Sequence, residues 1–150
     1  MRAVVQRVLS AEVEVGPPES RETVASMERG LLVLVGVGHR DSAQDAEALM
    51  RKIIGLRVFE DVSGKMNESL ADIGGTLGLV SQFTLMADVK KGRRPSFGGA
   101  ADPELAKPLF DAAVAYAEAQ NVPVVTGRFG EHMKVSLVNE GPMTLVIDTE

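Results

Sequence analysis

The sequence predicts a single α+β domain that spans residues 1–150, with a mostly antiparallel sheet and two main helices. Three observations predict this class. The length of 150 residues suits one domain. The composition, 45% hydrophobic and 25% charged, is typical of a globular protein. Segments that alternate with period two surround two segments with helical spacing, without an internal repeat or a linker between them.

The first part of the chain is predicted to form strands. Residues 1–15 alternate and are rich in valine, which is typical of a β-strand. Gly16–Ser20 breaks the pattern as a loop, and Thr23–Met27 can return as the second strand of a hairpin. Leu31–Val37 is a nearly continuous apolar run, which predicts a strand that is buried on both faces.

Two helices and further strands are predicted after this point. Ser42 and Asp45 resemble a capping box at the start of a first helix, which Gly55 ends. Asp102-Pro103-Glu104 starts a second helix. Its predicted core stripe is Leu105, Leu109, Ala112 and Tyr116. The remaining predicted strands are 56–59, 76–83, 122–126, 133–138 and 143–147.

Several classes of site are excluded by composition. The chain has no cysteine, which rules out disulfides, a cysteine nucleophile and iron–sulfur clusters. His39 and His132 lie far apart and neither is in a metal-hydrolase motif, so no metal and no cofactor is expected. Gly36-Val37-Gly38 lacks the third glycine of a dinucleotide loop, and no P-loop motif occurs. No apolar run reaches the length of a membrane span, so a cytoplasmic location without membrane contact is expected.

Net charge argues against a general nucleic-acid binder. Lys and Arg number 16 and Asp and Glu number 21, which gives −5 at pH 7. Phosphate contacts are made by Lys and Arg. However, four cations lie in five residues, at Lys90, Lys91, Arg93 and Arg94. This cluster is either a solvated loop or a phosphate site.

Two other segments carry candidate chemistry. Ser81-Gln82-Phe83-Thr84-Leu85 lies where an apolar strand ends, and offers two hydroxyls, an amide and several backbone N–H groups. It is either a polar strand end or a binding segment, and no base adjoins its hydroxyls as a nucleophile would need. Gly141-Pro142 is either a hairpin turn or a specific cis-proline feature.

Together these segments resemble the two signature motifs of the D-aminoacyl-tRNA deacylases. The resemblance covers nearly the whole chain, in the order expected for the family. The matching segments are 2–8, 30–37, 64–67, 81–85, 94–97, 126–129, 135–139 and 139–144. One departure is the hairpin 16–30, which is longer than usual and lacks a glycine in its middle.

The resemblance implies a barrel-like homodimer that hydrolyses D-aminoacyl-tRNA, and often glycyl-tRNA, to free amino acid and tRNA. It implies a cis Gly141-Pro142 bond that each subunit inserts into the other's site. There its carbonyls occupy the place of an L side chain and hold the substrate's amino group. By the same resemblance, Phe129 lines the adenosine pocket, Met133 lies in the site and Arg7 braces the Gly-Pro segment.

The expected chemistry needs no strong base, because an aminoacyl ester is already reactive. Backbone N–H groups near Gln82 and Phe83 are the candidates for stabilising the oxyanion, and the Gln82 amide can add a contact. In this family, Thr84 as nucleophile competes with assistance by the 2′-hydroxyl of the RNA, which we favour. The Lys90–Arg94 cluster is expected to contact tRNA phosphate. Alternatives are a non-enzymatic dimer that binds a nucleotide or amino acid, and a structural dimer.

Overall fold

The computed structural model describes residues 1–149, and its main feature is a six-stranded, barrel-like sheet. The strands are β1 (Arg2–Val15), β2 (Glu22–Met27), β3 (Gly30–Gly36), β4 (Phe59–Glu60), β5 (Met66–Glu68), β6 (Thr76–Ser81), β7 (Val124–Thr126) and β8 (Met133–Asp148). The helices are α1 (Ala43–Ile54) and α2 (Pro103–Glu118). The main sheet has the order β2-β1-β3-β6-β7, and β8 also pairs with β1, while β4 and β5 form a separate pair.

The main sheet is mixed, and its centre is the long strand β1. One half of β1 pairs with β3 and the other half with β2, while β8 runs along it antiparallel from Arg2 to Val15. The β3–β6 and β6–β7 pairs are parallel. Parallel neighbours need a crossover connection, and α1 and α2 lie in these two connections. The three antiparallel pairs of this sheet outnumber its two parallel ones, as expected.

Two apolar clusters bury the faces of this sheet. The larger one lies between the sheet and both helices, and includes the fully buried Phe59, Leu49 and Leu77. The smaller one lies on the other face and includes Val13, Met27 and Val80. Strand β3 contributes to both clusters through Leu31 and Leu32, which explains its continuous apolar sequence.

The predicted boundaries of α1 are confirmed. The Ser42 hydroxyl accepts a hydrogen bond from the Asp45 backbone N–H, and the Asp45 carboxylate accepts one from the Ser42 N–H at 2.8 Å. Hydrogen bonds from the Ser42 side chain and backbone lower the pKa of Asp45. Gly55 ends the helix. All of these signals lie within a few residues of the helix ends, so the sequence alone shows them.

The predicted core stripe of α2 agrees only in part with the buried face of the helix. The buried residues are Ala106, Leu109, Phe110, Ala113 and Ala117. Of the predicted stripe, Leu109 is buried, whereas Leu105 is 39% exposed and Ala112 and Tyr116 are only partly buried. Alanines cover much of the face that packs on α1 and the sheet, and they give little hydrophobic contrast in the sequence. The Asp102 side chain also makes no capping hydrogen bond.

The end of the chain is one strand and not the two that were predicted. In β8, Asn139 is opposite Val8 and Thr144 is opposite Gln6, so five steps on β8 match two on β1. The four residues Glu140–Met143 face the single residue Arg7 and leave the ladder as a bulge. Gly141-Pro142 is therefore the tip of a bulge and not a hairpin turn. The predicted 16–30 hairpin forms, with Gly16 at a φ of +98° in its loop.

Candidate active site

A cavity with a volume of about 620 Å³ opens at the carboxyl ends of β3 and β6. Val35 comes from β3 and Val37 directly follows it, Val80 and Ser81 come from β6, and Ala106 comes from the start of α2. This volume lies within the range of about 300–1,000 Å³ for small-molecule sites. Of the residues predicted for the site, the cavity brings together Ser81, Gln82, Phe83, Phe129 and Met133.

The segment after β6 turns sharply at the cavity. β6 ends at Ser81, two residues earlier than predicted, and Phe83–Met86 forms a 3-10 turn. The Gln82 backbone N–H donates to Val35 O at 2.8 Å. This N–H was expected to stabilise the oxyanion, but it is already used within the fold. Within residues 1–149, the N–H groups of Phe83 and Thr84 have no acceptor, because they begin the turn. The Phe83 N–H is therefore an unused donor at the cavity, and the unused Thr84 N–H lies next to it on the same turn.

Thr84 lies on the same turn but is exposed and does not line the cavity. Its hydroxyl accepts a hydrogen bond from the Gln82 side-chain amide at 2.5 Å. Among the described residues, no histidine or carboxylate makes a hydrogen bond to it. An amide N–H cannot remove a proton, so this geometry does not activate Thr84 as a nucleophile.

Phe129 and Met133 form the opposite wall of the cavity. The Phe129 ring packs on Phe110, with ring centroids 6.1 Å apart. A Cβ on Gly127 would lie 2.6 Å from the Met133 sulfur, so a glycine is needed there for Met133 to keep its place. A larger residue at position 127 would therefore displace the Met133 side chain from its place in the cavity.

Gly141 and Pro142 lie outside this cavity within the same chain. Their peptide bond is cis, and both residues are exposed at the tip of the β8 bulge. Arg7, which lies beneath the bulge, is opposite Leu31 on β3. Leu31 is four residues before Val35, or about 13 Å along a strand from the cavity.

Two side chains hold the bulge in place. Arg7 is only 6% exposed, and its guanidinium donates to Glu140 O at 3.2 Å and Val58 O at 2.7 Å. The Asn139 amide donates to Arg7 O at 2.9 Å and Met143 O at 3.0 Å, which closes the base of the bulge. The Gly-Pro tip is thus an exposed feature on a rigid support.

The predicted basic cluster lies at the end of a short hairpin. Asp88 and Ser96 exchange two backbone hydrogen bonds of 2.7 and 2.9 Å, which close the base of the loop 89–95. Lys90, Lys91, Arg93 and Arg94 are all exposed on this loop. Across residues 1–149, none of their side chains forms an ion pair.

Sequence reasoning missed several residues of the cavity, chiefly Phe97, Phe110 and His132. Phe97 belongs to a segment that supports the resemblance, but nothing in its pattern assigns it to the site. The position of Phe110 in the sequence predicts only a core residue of a helix. Their convergence depends on how α2 and the 84–101 loop fold onto the ends of β3 and β6.

Neither a metal cluster nor a membrane-spanning helix accompanies this site in the described chain. No group of three or more metal-ligating side chains occurs within residues 1–149. In the same part of the chain, no helix is long and apolar enough to cross a membrane.

Comparison with known proteins identifies the family. Residues 4–148 match the family model described as D-Tyr-tRNA(Tyr) deacylase. A D-aminoacyl-tRNA deacylase of Chloroflexus aurantiacus is 55% identical, covering 99% of this chain and 91% of the relative. One of Thermosipho africanus is 53% identical, covering 100% of this chain and 98% of the relative.

Solved structures agree on the fold. The structure of a "c-Myc DNA Unwinding Element Binding Protein" matches with a TM-score of 0.92 at 37% identity, over 100% of this chain and 99% of the other. The structure of a "probable eukaryotic D-amino acid tRNA deacylase" matches with a TM-score of 0.82 at 18% identity, over 99% of this chain and 98% of the other. The second likeness bears on the fold alone.

The non-enzymatic alternatives are set aside, because the curated relatives are named as enzymes over the full length of the chain. The chain therefore belongs to the D-Tyr-tRNA(Tyr) deacylase family, and it is an enzyme that hydrolyses the ester bond of aminoacyl-tRNA.

Proposed function

We propose that this deacylase selects the D-amino acid at a site that two subunits build together. The cavity of one subunit receives the aminoacyl-adenosine end of the tRNA, and Gly141-Pro142 of the partner subunit closes it. One observation carries this proposal. The Gly-Pro tip is exposed and rigidly braced by Arg7 and Asn139, yet it does not line the cavity of its own chain.

Exclusion by backbone explains the selectivity. Carbonyl oxygens of the Gly-Pro tip occupy the space where an L side chain would project, and they accept hydrogen bonds from the substrate's amino group. A D side chain points away from them, and glycine has no side chain to clash. The proposed enzyme therefore hydrolyses D-aminoacyl-tRNA and glycyl-tRNA and rejects L-aminoacyl-tRNA.

The proposed chemistry relies on positioning and hydrogen bonding. The N–H groups of Phe83 and Thr84 stabilise the oxyanion that forms when the ester carbonyl is attacked. Loss of one such donor costs about 2.7–4 kcal/mol in other hydrolases. The 2′-hydroxyl of the terminal ribose assists the attacking water, because no base contacts Thr84. No cofactor takes part, and the proposed location is the cytoplasm.

Release of amino acid from three charged tRNAs tests this function. We expect wild-type protein to deacylate D-tyrosyl-tRNA and glycyl-tRNA and to leave L-tyrosyl-tRNA intact over the same time. Pro142→Ala should reduce the ratio of D to L rates. Equal rates on the D and L esters by the wild type, or an unchanged ratio in Pro142→Ala, would contradict the proposal.

A further inference from the structure

The cavity carries a second pair of aromatic rings, at its mouth. Phe83 and Phe97 both line the opening, and their rings meet edge to face with centroids 5.1 Å apart. They are 58% and 39% exposed, which is unusual for residues of this size. The inner pair, Phe110 and Phe129, is instead packed against the core.

The outer pair lies between the cavity and the basic hairpin. Phe97 directly follows Ser96, which closes the base of that hairpin with Asp88. The four cations of the hairpin are at most seven residues from Phe97 in the chain. Phe97 therefore joins the lining of the cavity to the base of the basic hairpin.

Exposed rings beside cations are typical of surfaces that bind single-stranded nucleic acid. Aromatic faces stack on bases, and the neighbouring cations follow the backbone phosphates. A purely structural role for the outer pair would favour burial of both rings, because exposed aromatic surface gains nothing from the hydrophobic effect.

We propose that the Phe83–Phe97 pair is a stacking platform for the cytidine that precedes the terminal adenosine of the tRNA. This inference rests on the proposed function, since it takes the aminoacyl-adenosine to fill the cavity. Phe97 is the residue to substitute in a test of the platform, because Phe83 also belongs to the turn that is proposed to contact the ester. The phosphate between cytidine and adenosine then lies on the side of the basic hairpin.

The platform is tested by comparing the wild type with two Phe97 variants on two substrates. The substrates are the D-tyrosyl esters of adenosine and of the dinucleotide cytidylyl-adenosine. For the wild type, we expect the added cytidine to raise kcat/KM about fivefold or more, since stacking on an aromatic ring is worth at least about 1 kcal/mol per base. Phe97→Leu keeps the apolar bulk but removes the ring, and should lose most of that gain. Phe97→Trp keeps a ring and should retain it.

Three results would overturn the platform while leaving the proposed function intact. The cytidine could bring no gain in the wild type, or Phe97→Leu could keep the whole gain. Alternatively, Phe97→Leu could lower kcat/KM by the same factor on both esters, which would place Phe97 in the adenosine pocket. Failure of the proposed function looks different, because the wild type would then hydrolyse D- and L-tyrosyl-tRNA at equal rates, whatever the cytidine adds on the short esters.

Discussion

Thr84 is the residue on which the proposed chemistry depends most. Its hydroxyl lies near the cavity, but the only side chain bonded to it in the described chain is the Gln82 amide. A threonine nucleophile without a base is weak at neutral pH. The proposed mechanism therefore uses the Thr84 backbone N–H and not its side chain.

Thr84→Ala should keep activity within about tenfold of the wild type, because the backbone N–H remains after this substitution. Single-turnover hydrolysis of D-tyrosyl-tRNA measures the chemical step. Thr84→Val is the matched control, since it replaces the hydroxyl by a methyl group of similar volume. A loss approaching the factor of about 2 × 10⁶ seen when a triad serine is removed would assign the nucleophile to Thr84.

At the level of elements, the packing of β3 on β6 fixes the position of the cavity. Gly30 is opposite Thr76 in this parallel pair, and a Cβ on Gly30 would lie 1.9 Å from the Thr76 carbonyl oxygen. A Cβ on Gly78 would instead lie 2.8 Å from the Met27 sulfur and 3.0 Å from Leu32 Cδ1. Only the second clash involves side-chain ends that can move.

Gly30→Ala should therefore destabilise the protein much more than Gly78→Ala. Overpacking costs about 1–3 kcal/mol and occasionally more. We expect Gly30→Ala to reach or exceed the upper end of this range and Gly78→Ala to stay near the lower end. Denaturant unfolding at one protein concentration measures both losses. Equal losses, or the reverse order, would show that the β3–β6 contact does not set the backbone position.

The basic hairpin gives a second prediction for an element. Replacing Lys90, Lys91, Arg93 and Arg94 by glutamine should raise KM for D-tyrosyl-tRNA and flatten its dependence on salt. The slope in question is that of the logarithm of tRNA affinity against the logarithm of salt concentration. It falls by about 0.7 for each single-stranded phosphate that the variant no longer neutralises. The matched control replaces two exposed lysines and two exposed arginines elsewhere, namely Arg21, Arg51, Lys52 and Lys65. Equal slopes for the two variants would place the hairpin outside the tRNA interface.

Sequence patterns predicted the parts of the fold that local residues determine. Ser42, Asp45 and Gly55 mark both ends of α1. Part of the buried face of α2 was missed because alanines form much of it. The Gly141-Pro142 dipeptide is equally compatible with a hairpin turn and with a bulge. The pairing of β8 with β1 on both sides of it shows that it is a bulge.

The candidate site was predicted only in part, for a related reason. Ser81, Gln82 and Phe129 lie in segments that carry the resemblance, the resemblance also implies Met133, and all four line the cavity. Phe97 and Phe110 come from a loop and a helix whose positions depend on long-range packing. The N–H of Gln82 was expected to be available, but its bond to Val35 O depends on how two distant strands meet.

At the scale of the whole molecule, the net charge of −5 gives little information about RNA binding. The four cations lie on one hairpin whose base adjoins Phe97 of the cavity, so the rest of the surface is more acidic than the total suggests. This distribution favours contact with one end of a tRNA over general affinity for nucleic acid.

In the proposed dimer, selection of the D-amino acid depends on Gly141-Pro142 of the partner subunit. Outward-facing apolar side chains on the β1–β8 face, Leu9, Val138 and Val146, are more than half exposed and suit contact with a second copy. In a two-fold dimer each tip would close the cavity of the other subunit, since the interface is the same on each subunit. A dimer whose two subunits carry different substitutions separates the contribution of the cavity from that of the partner's Gly-Pro tip.

Co-expression of two variants tests this dependence most directly. One subunit carries Pro142→Ala, and an excess of the other carries Phe129→Ala with Met133→Ala, which removes the cavity wall but keeps a native Gly-Pro tip. The measurement is the ratio of D- to L-tyrosyl-tRNA hydrolysis for each Pro142→Ala subunit. We predict that the ratio rises towards the wild-type value as the excess grows. A ratio that stays at the value of the pure Pro142→Ala protein would contradict selection by the partner subunit.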